Sequence, residues 1–440
     1  MLSFCKRGGT LNRRELLHVG GISLLGLNAQ GLAQLRAQSP ADSAAARHRH
    51  NSCVFIFLFG GPSHIDLWDM KPEAPLEMRG DFKPAATSVP GIHLCEHLPM
   101  LARQMDKLCL LRSMTHHMNV HGPACSEIFS GREYPFPPTT DQARPEDWPS
   151  LSAMTMQYGK SRRGLPSSIV LPWYLQFPGQ SKLIAGQTAG RMGKGRNAML
   201  VDGDPSQPGF AMQGFMLPED VSLKRLAGRQ VLLDRLGARA KRVLGDVAAV
   251  KQFHQNHQQA FTLLGSRAGE AFDLDREPRK LRERYGDSKI AQSFLLARRL
   301  VEAGVSLITV NWEDPTKIDG VNTCWDTHRG NFPKLKNLLC PMFDRCFSVF
   351  LEDLHDRGLL ERTLVVAVGE FGRTPKMGQI TQSNNTLKTG RDHWPHAFTA
   401  LLAGGGVRGG QVYGRTNQTG GYVTDQPVTP ADLTATIFHH

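Results

Sequence analysis

Short, mostly apolar runs that end in glycine or polar residues recur along the body of this chain. They are Val54–Phe59, Leu108–Leu111, Ser168–Leu171, Val305–Val310, Leu364–Val368 and Phe398–Leu402. Runs of this length without polar alternation predict strands that are buried on both faces of a sheet. The first run is followed by Gly60-Gly61-Pro62, which predicts a tight turn at the strand end.

Helical spacing occupies the intervals between the later runs. A helix is predicted at Ser288–Ala303, with Asp287 as its N-cap and Gly304 as its left-handed C-terminal residue. A second helix is predicted at Pro333–Arg357, and a third begins at Thr429-Pro430. This alternation predicts an α/β fold with a mostly parallel central sheet and helices on both faces.

Two stretches depart from this alternation. Residues 205–285 contain many Lys and Arg and place leucines at helical spacing, at Leu223, Leu226, Leu233 and Leu236. We interpret them as a helical insertion in a single domain that spans residues 51–440. Residues 34–50 are rich in Ala, Gln, Ser and Arg and are typical of a linker.

The N-terminal residues have the pattern of a targeting signal. Arg13-Arg14 precedes an uncharged stretch, Val19–Leu27, that is too short to span a bilayer. This order predicts a twin-arginine signal peptide over residues 1–33, with a small-x-small site at Gly31–Ala33. The twin-arginine export machinery is therefore an expected partner, and the mature protein is expected to be periplasmic or extracellular. No other segment is apolar enough to predict a transmembrane helix.

Composition excludes some classes of function. The 440 residues carry a formal net charge of +12, but Lys and Arg are dispersed and no nucleic-acid-binding motif is present. We therefore expect no nucleic-acid partner and attribute the charge to solvated helix faces that attract anions in general. None of the eight cysteines forms a C-x-x-C pair, which argues against a zinc ribbon. We expect most of them to be buried as small apolar residues.

Acidic and imidazole side chains lie at the ends of four apolar runs. The segments are GGPSHIDLWD (60–69), CWDTHRGN (324–331), VVAVGEFGRTP (365–375) and GRDHWP (390–395). Because the carboxyl ends of parallel strands meet at one edge, these side chains are expected to share a crevice. Such a cluster requires a cation, and Asp, Glu and His are ligands for hard or borderline metals. The sequence thus predicts one or two divalent ions, with zinc, calcium and manganese as candidates.

These motifs, together with AGGGVRGG (403–410), resemble the exported, sulfatase-like bacterial family called DUF1501, over residues 51–440. The order of the motifs also resembles the alkaline phosphatase superfamily. The resemblance implies a metal-dependent hydrolase fold, with Arg373 placed to bind phosphate or sulfate oxygens. The metal ligands that it implies are His64 or Asp66 after the first strand, then Asp326, His328, Glu370, Asp392 and His393. Asp392 is either a ligand or the partner that orients His393.

The position of the nucleophile departs from that resemblance. His121 stands where related sulfatases carry Cys or Ser, and Cys125 stands where they carry Arg. Formylglycine chemistry is therefore not expected, and His121 remains open as general base, nucleophile or metal ligand. Glu370 and Arg373 as a plain ion pair, and His116 and His117 as surface or capping residues, are the simpler alternatives.

Two functions remain open at this point. One is a hydrolase that acts on phosphate or sulfate esters, either small anionic molecules or polysaccharides. The other is a catalytically inactive metal-binding or scaffold protein of the same fold.

Overall fold

An eight-stranded sheet connects elements from residue 52 to residue 413. The computed structural model describes residues 51–137, 142–162, 164–176, 182–210, 221–244, 261, 267–312, 324–382 and 385–440. The predicted signal peptide and linker lie outside these residues. The body, Asn51–His440, is one compact unit.

The strands of the described residues are β1 Ser52–Leu58, β2 Pro84–Ala86, β3 His93–Cys95, β4 Leu108–Met114, β5 Ser168–Leu171, β6 Met199–Leu200, β7 Leu307–Trp312, β8 Thr363–Val368, β9 Gly372–Arg373, β10 His393–Trp394, β11 Phe398–Ala403, β12 Gln411–Tyr413, β13 Arg415–Thr416 and β14 Val423–Asp425. The eight-stranded sheet has the strand order β12-β4-β11-β8-β1-β7-β5-β6. Among these eight strands only β11 runs antiparallel to its neighbours, so the sheet is mostly parallel, as predicted.

Helices cover both faces of this sheet. Those in the described residues are α1 His64–Leu67, α2 Leu76–Arg79, α3 Pro99–Arg103, α4 His121–Ser130, α5 Leu151–Tyr158, α6 Leu223–Leu244, α7 Arg279–Tyr285, α8 Lys289–Ala303, α9 Asn331–Lys334, α10 Cys340–Asp356 and α11 Pro430–His439. Within these residues no helix is both long and apolar enough to cross a membrane.

Strand β1 shows how the core is divided. Val54, Ile56 and Leu58 belong to one apolar cluster, which also contains residues of α8 and α10. Phe55 and Phe57 belong to a second cluster on the other face, with residues of α4 and α11. Since neighbouring side chains in a strand point to opposite faces, a strand buried on both sides has to be apolar throughout.

The predicted strands are confirmed, with ends that shift by at most three residues. The helix before β7 is also confirmed, but its cap is not. Ser288 is the N-cap and accepts a hydrogen bond from the Ala291 amide at 3.1 Å, so the prediction of Asp287 was wrong by one residue. Gly304 has the expected left-handed conformation, with φ of 88°.

The helix predicted at Pro333–Arg357 is interrupted. The chain forms α9, then a π-helical turn at Leu335–Leu339, and then α10. In the predicted insertion, the structure describes α6 and α7, while residues 211–220, 245–260 and 262–266 lie outside the described part. All seven cysteines of the described residues are buried, in line with the expected burial of most of them.

The turn after β1 brings two loops into close contact. Gly60 has φ of +106°, and a Cβ atom at this position would overlap the main chain of Trp325 and Asp326. Only glycine combines this backbone conformation with so close an approach. The Gly60 main chain is thereby in contact with the loop that carries Asp326.

We predict that Gly60→Ala destabilises the protein far more than a matched change at Gly91. Gly91 also has a positive φ, +83°, but no atom lies within 4 Å of its Cβ position. Gly91→Ala should cost about 1–2 kcal/mol, from the left-handed backbone alone. Gly60→Ala should cost several kcal/mol more or prevent folding, measured by urea unfolding. Equal losses in the two variants would contradict the close approach.

Candidate metal centre

One edge of the sheet gathers the loops that carry the predicted site residues. β1, β7 and β8 are parallel and end at this edge, and the antiparallel β11 begins there. Asp326 and His328 follow β7, Glu370 follows β8, and His393 precedes β11. The strand-end expectation therefore holds for these loops.

Asp326 lies at the centre of the cluster. Its Oδ1 is 2.5 Å from Arg373 Nη2, 2.9 Å from His328 Nε2 and 3.3 Å from His393 Nε2. Its Oδ2 is 3.5 Å from His121 Nε2. Three imidazoles thus direct the same ring nitrogen toward one carboxylate. We call His121, Asp326, His328 and His393 the inner cluster.

The outer ring nitrogens are held by other groups. His393 Nδ1 donates to the Asn119 carbonyl at 2.7 Å, and His121 Nδ1 donates to Glu370 Oε1 at 2.6 Å. Because a carbonyl and a carboxylate only accept, the proton is fixed on Nδ1 and the Nε2 lone pair of the neutral ring faces inward. His328 Nδ1 lies 2.8 Å from the Thr386 hydroxyl, which can donate or accept.

Glu370 orients His121. Its side chain is completely buried, and its two oxygens accept from the Gly60 amide at 2.9 and 3.1 Å. His116 donates through Nε2 to the main-chain oxygen of Glu370 at 2.6 Å and accepts from the Met118 amide through Nδ1. His116 is therefore a buried structural residue, and burial lowers its pKa to about 4.

Two overlapping groups have the arrangement of metal ligands. They are His121, Asp326 and His393, and His328, Asp392 and His393, and within each group the ligand atoms lie within 4.8 Å of one another. Inward-facing imidazole lone pairs around the partly buried carboxylate of Asp326 repel one another unless a proton or cation lies among them. The donor set therefore fits a divalent cation.

The charges of the inner cluster are strongly coupled. Burial opposes a charge on His121, but Asp326 and Glu370 outweigh it and raise the pKa of His121 to about 9. Burial also opposes the charge of Asp326, yet Arg373 and His121 hold its pKa well below the usual range. Burial, together with the charge of His121, lowers the pKa of His393. Without a cation, this raised pKa favours the protonated form of His121 at neutral pH, and the imidazolium compensates the charges of Asp326 and Glu370. A bound cation would compensate them in the same way.

Asp392 contacts the outer side of His328. Its Oδ1 lies 3.6 Å from His328 Nδ1 and accepts from the His393 amide at 2.8 Å. Its Oδ2 accepts from the amides of Thr381 and Gln382 at 2.8 and 3.0 Å. Of the two roles that the sequence left open, these contacts favour the positioning role.

Arg373 is held by the protein itself. It is completely buried, its Nε donates to Gly61 O at 2.9 Å, and its Nη1 donates to Arg391 O at 3.2 Å. Its Nη2 donates to Gly60 O and to Asp326. The predicted contact with a substrate anion does not fit these partners, and neither does an ion pair with Glu370. Arg373 instead positions Asp326.

Asp66 and His64 lie apart from the inner cluster. Asp66 pairs with Arg391 through two bonds of 2.8 Å and also accepts from Ser63 at 2.6 Å and Asn331 at 2.8 Å. His64 Nε2 donates to the Gly420 carbonyl at 2.8 Å. These contacts argue against either residue as a metal ligand, because an arginine already neutralises Asp66 and the His64 ring turns toward the main chain of another loop.

Sequence reasoning also missed several residues of this site. Arg391 precedes Asp392-His393 directly, so its place in the motif was a usable signal. Thr386 and the Asn119 carbonyl gave no such signal, because they belong to loops without periodicity.

Lys334, at the end of α9, is half-buried. Burial lowers its pKa, while nearby Asp326 acts in the opposite direction.

The sequence matches the family model described as "Protein of unknown function (DUF1501)" over residues 50–440. The chain belongs to the DUF1501 family. This confirms the family that the sequence motifs suggested. No curated protein matches the sequence.

Solved structures give weaker similarities. The PsFucS1 sulfatase from Pseudoalteromonas sp. aligns over 90% of this chain and 69% of its own, with 11% identity and a TM-score of 0.39. An alkaline phosphatase superfamily protein from Vibrio parahaemolyticus aligns over 88% and 70%, with 10% identity and a TM-score of 0.37. Alkaline phosphatase from the Antarctic bacterium TAB5 aligns over 89% and 99%, with 8% identity and a TM-score of 0.34. At these TM-scores the similarity says nothing about a shared site.

We predict that Asp66→Asn destabilises the fold without removing the metal. The change leaves the Arg391 guanidinium buried and uncompensated, which should cost about 3–5 kcal/mol in the free energy of unfolding. The exposed pair of Asp106 and Lys107 is the control, and Asp106→Asn should cost less than about 1 kcal/mol. Metal per folded molecule, measured by elemental analysis, should be unchanged in both variants. Loss of metal in folded Asp66→Asn would return Asp66 to the ligands.

Proposed function

We propose that this protein is an exported, metal-dependent hydrolase of phosphate or sulfate esters. The observation that carries the proposal is the inner cluster, in which three imidazole Nε2 atoms surround the carboxylate of Asp326. The expected location, periplasmic or extracellular, rests on the twin-arginine pattern in residues 1–33.

Asp326, His328 and His393 are the residues that would hold the cation, with Asp392 behind the His328 ring. An imidazole-rich set favours zinc or manganese over calcium, which prefers six to eight oxygen ligands. A bound divalent ion supplies Lewis-acid polarisation of an ester oxygen and makes water more acidic.

His121 is suited to be the general base. Glu370 holds the proton on Nδ1 and so leaves Nε2 as the atom that faces the cluster. When a cation compensates the charge of Asp326, the ring is neutral and Nε2 can accept a proton from an attacking water. The buried Glu370 carboxylate then stabilises the imidazolium that forms.

Two features suit an anionic ester group at this place. Helix α4 begins at His121, and the N-terminus of a helix of ten residues carries partial positive charge. Lys334 adds a half-buried ammonium group that interacts electrostatically with Asp326. We therefore assign to Lys334 the contact with substrate oxygens that the sequence had suggested for Arg373. The ester can be a small molecule or part of a polysaccharide.

A catalytically inactive metal-binding or scaffold protein is the second candidate. One observation favours it: Ser63, a hydroxyl candidate for the nucleophile near the first strand end, donates to Asp66 and so belongs to the Asp66–Arg391 network. The hydrolase reading consequently depends on direct attack by water.

We predict that the purified protein binds a divalent metal and that His328→Ala and Asp326→Asn each remove most of it. At a free ion concentration of 100 times Kd, binding should raise the free energy of unfolding by about 2.7 kcal/mol. Glu370→Gln should leave metal binding unchanged, because the Glu370 side chain orients His121 and bonds to Gly60 rather than to the three residues that would hold the cation.

His355→Ala is the matched control, since His355 lies on the exposed side of α10. It should leave metal content unchanged, as measured by titration calorimetry and elemental analysis. A wild-type protein that binds no divalent ion would end the metal proposal.

We predict turnover of an aryl phosphate or aryl sulfate ester in the presence of zinc or manganese. His121→Ala should lower kcat by about 10²–10⁴-fold while metal content is retained. Lys334→Ala should mainly raise KM, because the ester anion loses a cationic contact. Stoichiometric metal without turnover of either ester class would favour the scaffold function.

A further inference from the structure

Helix α6 differs from the other long helices in its charge. It spans Leu223–Leu244, 22 residues, and its sequence contains seven Lys or Arg residues and one acidic residue, Asp234. At about 1.5 Å per residue it is roughly 33 Å long. Neither the inner cluster nor the network of Asp66 uses any part of it.

The apolar residues of α6 are only partly covered. Leu226 is 7% exposed, whereas Val231, Leu232 and Leu236 are 52%, 58% and 56% exposed. An ordinary surface helix directs its leucines toward the core. Here Leu232 and Leu236, which are one helical turn apart, lie side by side in solvent.

Arginines flank these leucines on the same side of the helix. At 100° per residue, Arg229, Leu232, Leu236 and Arg239 fall within a sector of about 80°. Arg229 and Arg239 are both exposed. The exposed stripe therefore has two leucines at its centre and an arginine at each end, a combination that suits a helix lying in a membrane interface.

We propose that α6 binds the surface of a bilayer that contains anionic phospholipids. Leu232 and Leu236 would enter the boundary between headgroups and acyl chains, while the guanidinium groups of Arg229 and Arg239 bind lipid phosphates. The helix lies flat on the bilayer and does not span it.

Charge complementarity selects this partner over two others. In a symmetric contact with a second copy of the chain, the arginines of one stripe would face those of the other. A soluble polyanion would engage the arginines but leave the leucines in water. An anionic bilayer satisfies both kinds of side chain at once.

Vesicle co-sedimentation tests the proposal with the full chain. Vesicles of phosphatidylcholine with about one-third phosphatidylglycerol should bind the protein, and pure phosphatidylcholine vesicles should bind much less. The double variant Leu232→Ser/Leu236→Ser keeps the net charge. Its affinity for the anionic vesicles should fall by about tenfold or more, because two apolar side chains are lost from the interface. Arg229→Gln/Arg239→Gln should also bind less and show a smaller dependence on salt.

Leu76→Ser is the matched control, because Leu76 is 58% exposed, like Leu232, but lies on α2. It should bind vesicles as the wild type does, and urea unfolding should show that all variants remain folded. Three results would overturn the proposal. They are no binding to anionic vesicles at low salt, binding that persists in the leucine variant and is matched by a soluble polyanion such as heparin, and self-association that the leucine variant abolishes.

Discussion

The carboxylate of Asp326 is the group on which the arrangement of this site depends. It lies among three imidazole nitrogens and a completely buried guanidinium, and each of its oxygens has a different set of neighbours. A carboxylate that is largely removed from water, as Asp326 is, is costly unless positive charge compensates it. Arg373 supplies one such charge permanently. The imidazoles supply the rest either with a proton on His121 or by holding a cation between them.

This arrangement requires close main-chain contact among the loops that follow β1, β7 and β8. Gly60 allows the turn after β1 to touch the main chain at Trp325 and Asp326, and the Gly60 amide also fixes Glu370. Arg373 then joins the carbonyls of Gly60 and Gly61 to Asp326. The turn is therefore a structural support for both carboxylates, although it contributes no ligand atom. The positions of these two carboxylates are thus fixed by main-chain contacts, which the side-chain motifs of the sequence do not reveal.

The limits of the sequence reasoning follow from the same physics. The strands were predictable, because a strand buried on both faces has to be apolar throughout. Asp326 and His328 were identifiable, because parallel strands bring their carboxyl ends to one edge; His393 reaches the same edge because it precedes the antiparallel β11. Asp66 follows a strand end too, and nothing in its local sequence showed that Arg391, 325 residues later, would neutralise it. The partner of a charged residue is set by long-range contacts in the fold. For Asp66, the partner Arg391 makes it part of a structural ion pair and not a metal ligand. Arg373 was misassigned for this reason as well.

Four of the five acidic residues in the motifs therefore have four separate roles. Asp66 neutralises Arg391, Glu370 orients His121, Asp392 accepts main-chain amides behind His328, and Asp326 faces the imidazoles. Only Asp326 combines a carboxylate with several inward-facing nitrogens, so a single centre is favoured over two fully separate ones. Because His393 belongs to both candidate groups of ligands, a second ion could bind only by sharing that ring or its neighbours. Two cations that close would repel each other, and Asp326 already shares its negative charge with Arg373. The charge of the site thus argues for one tightly held ion.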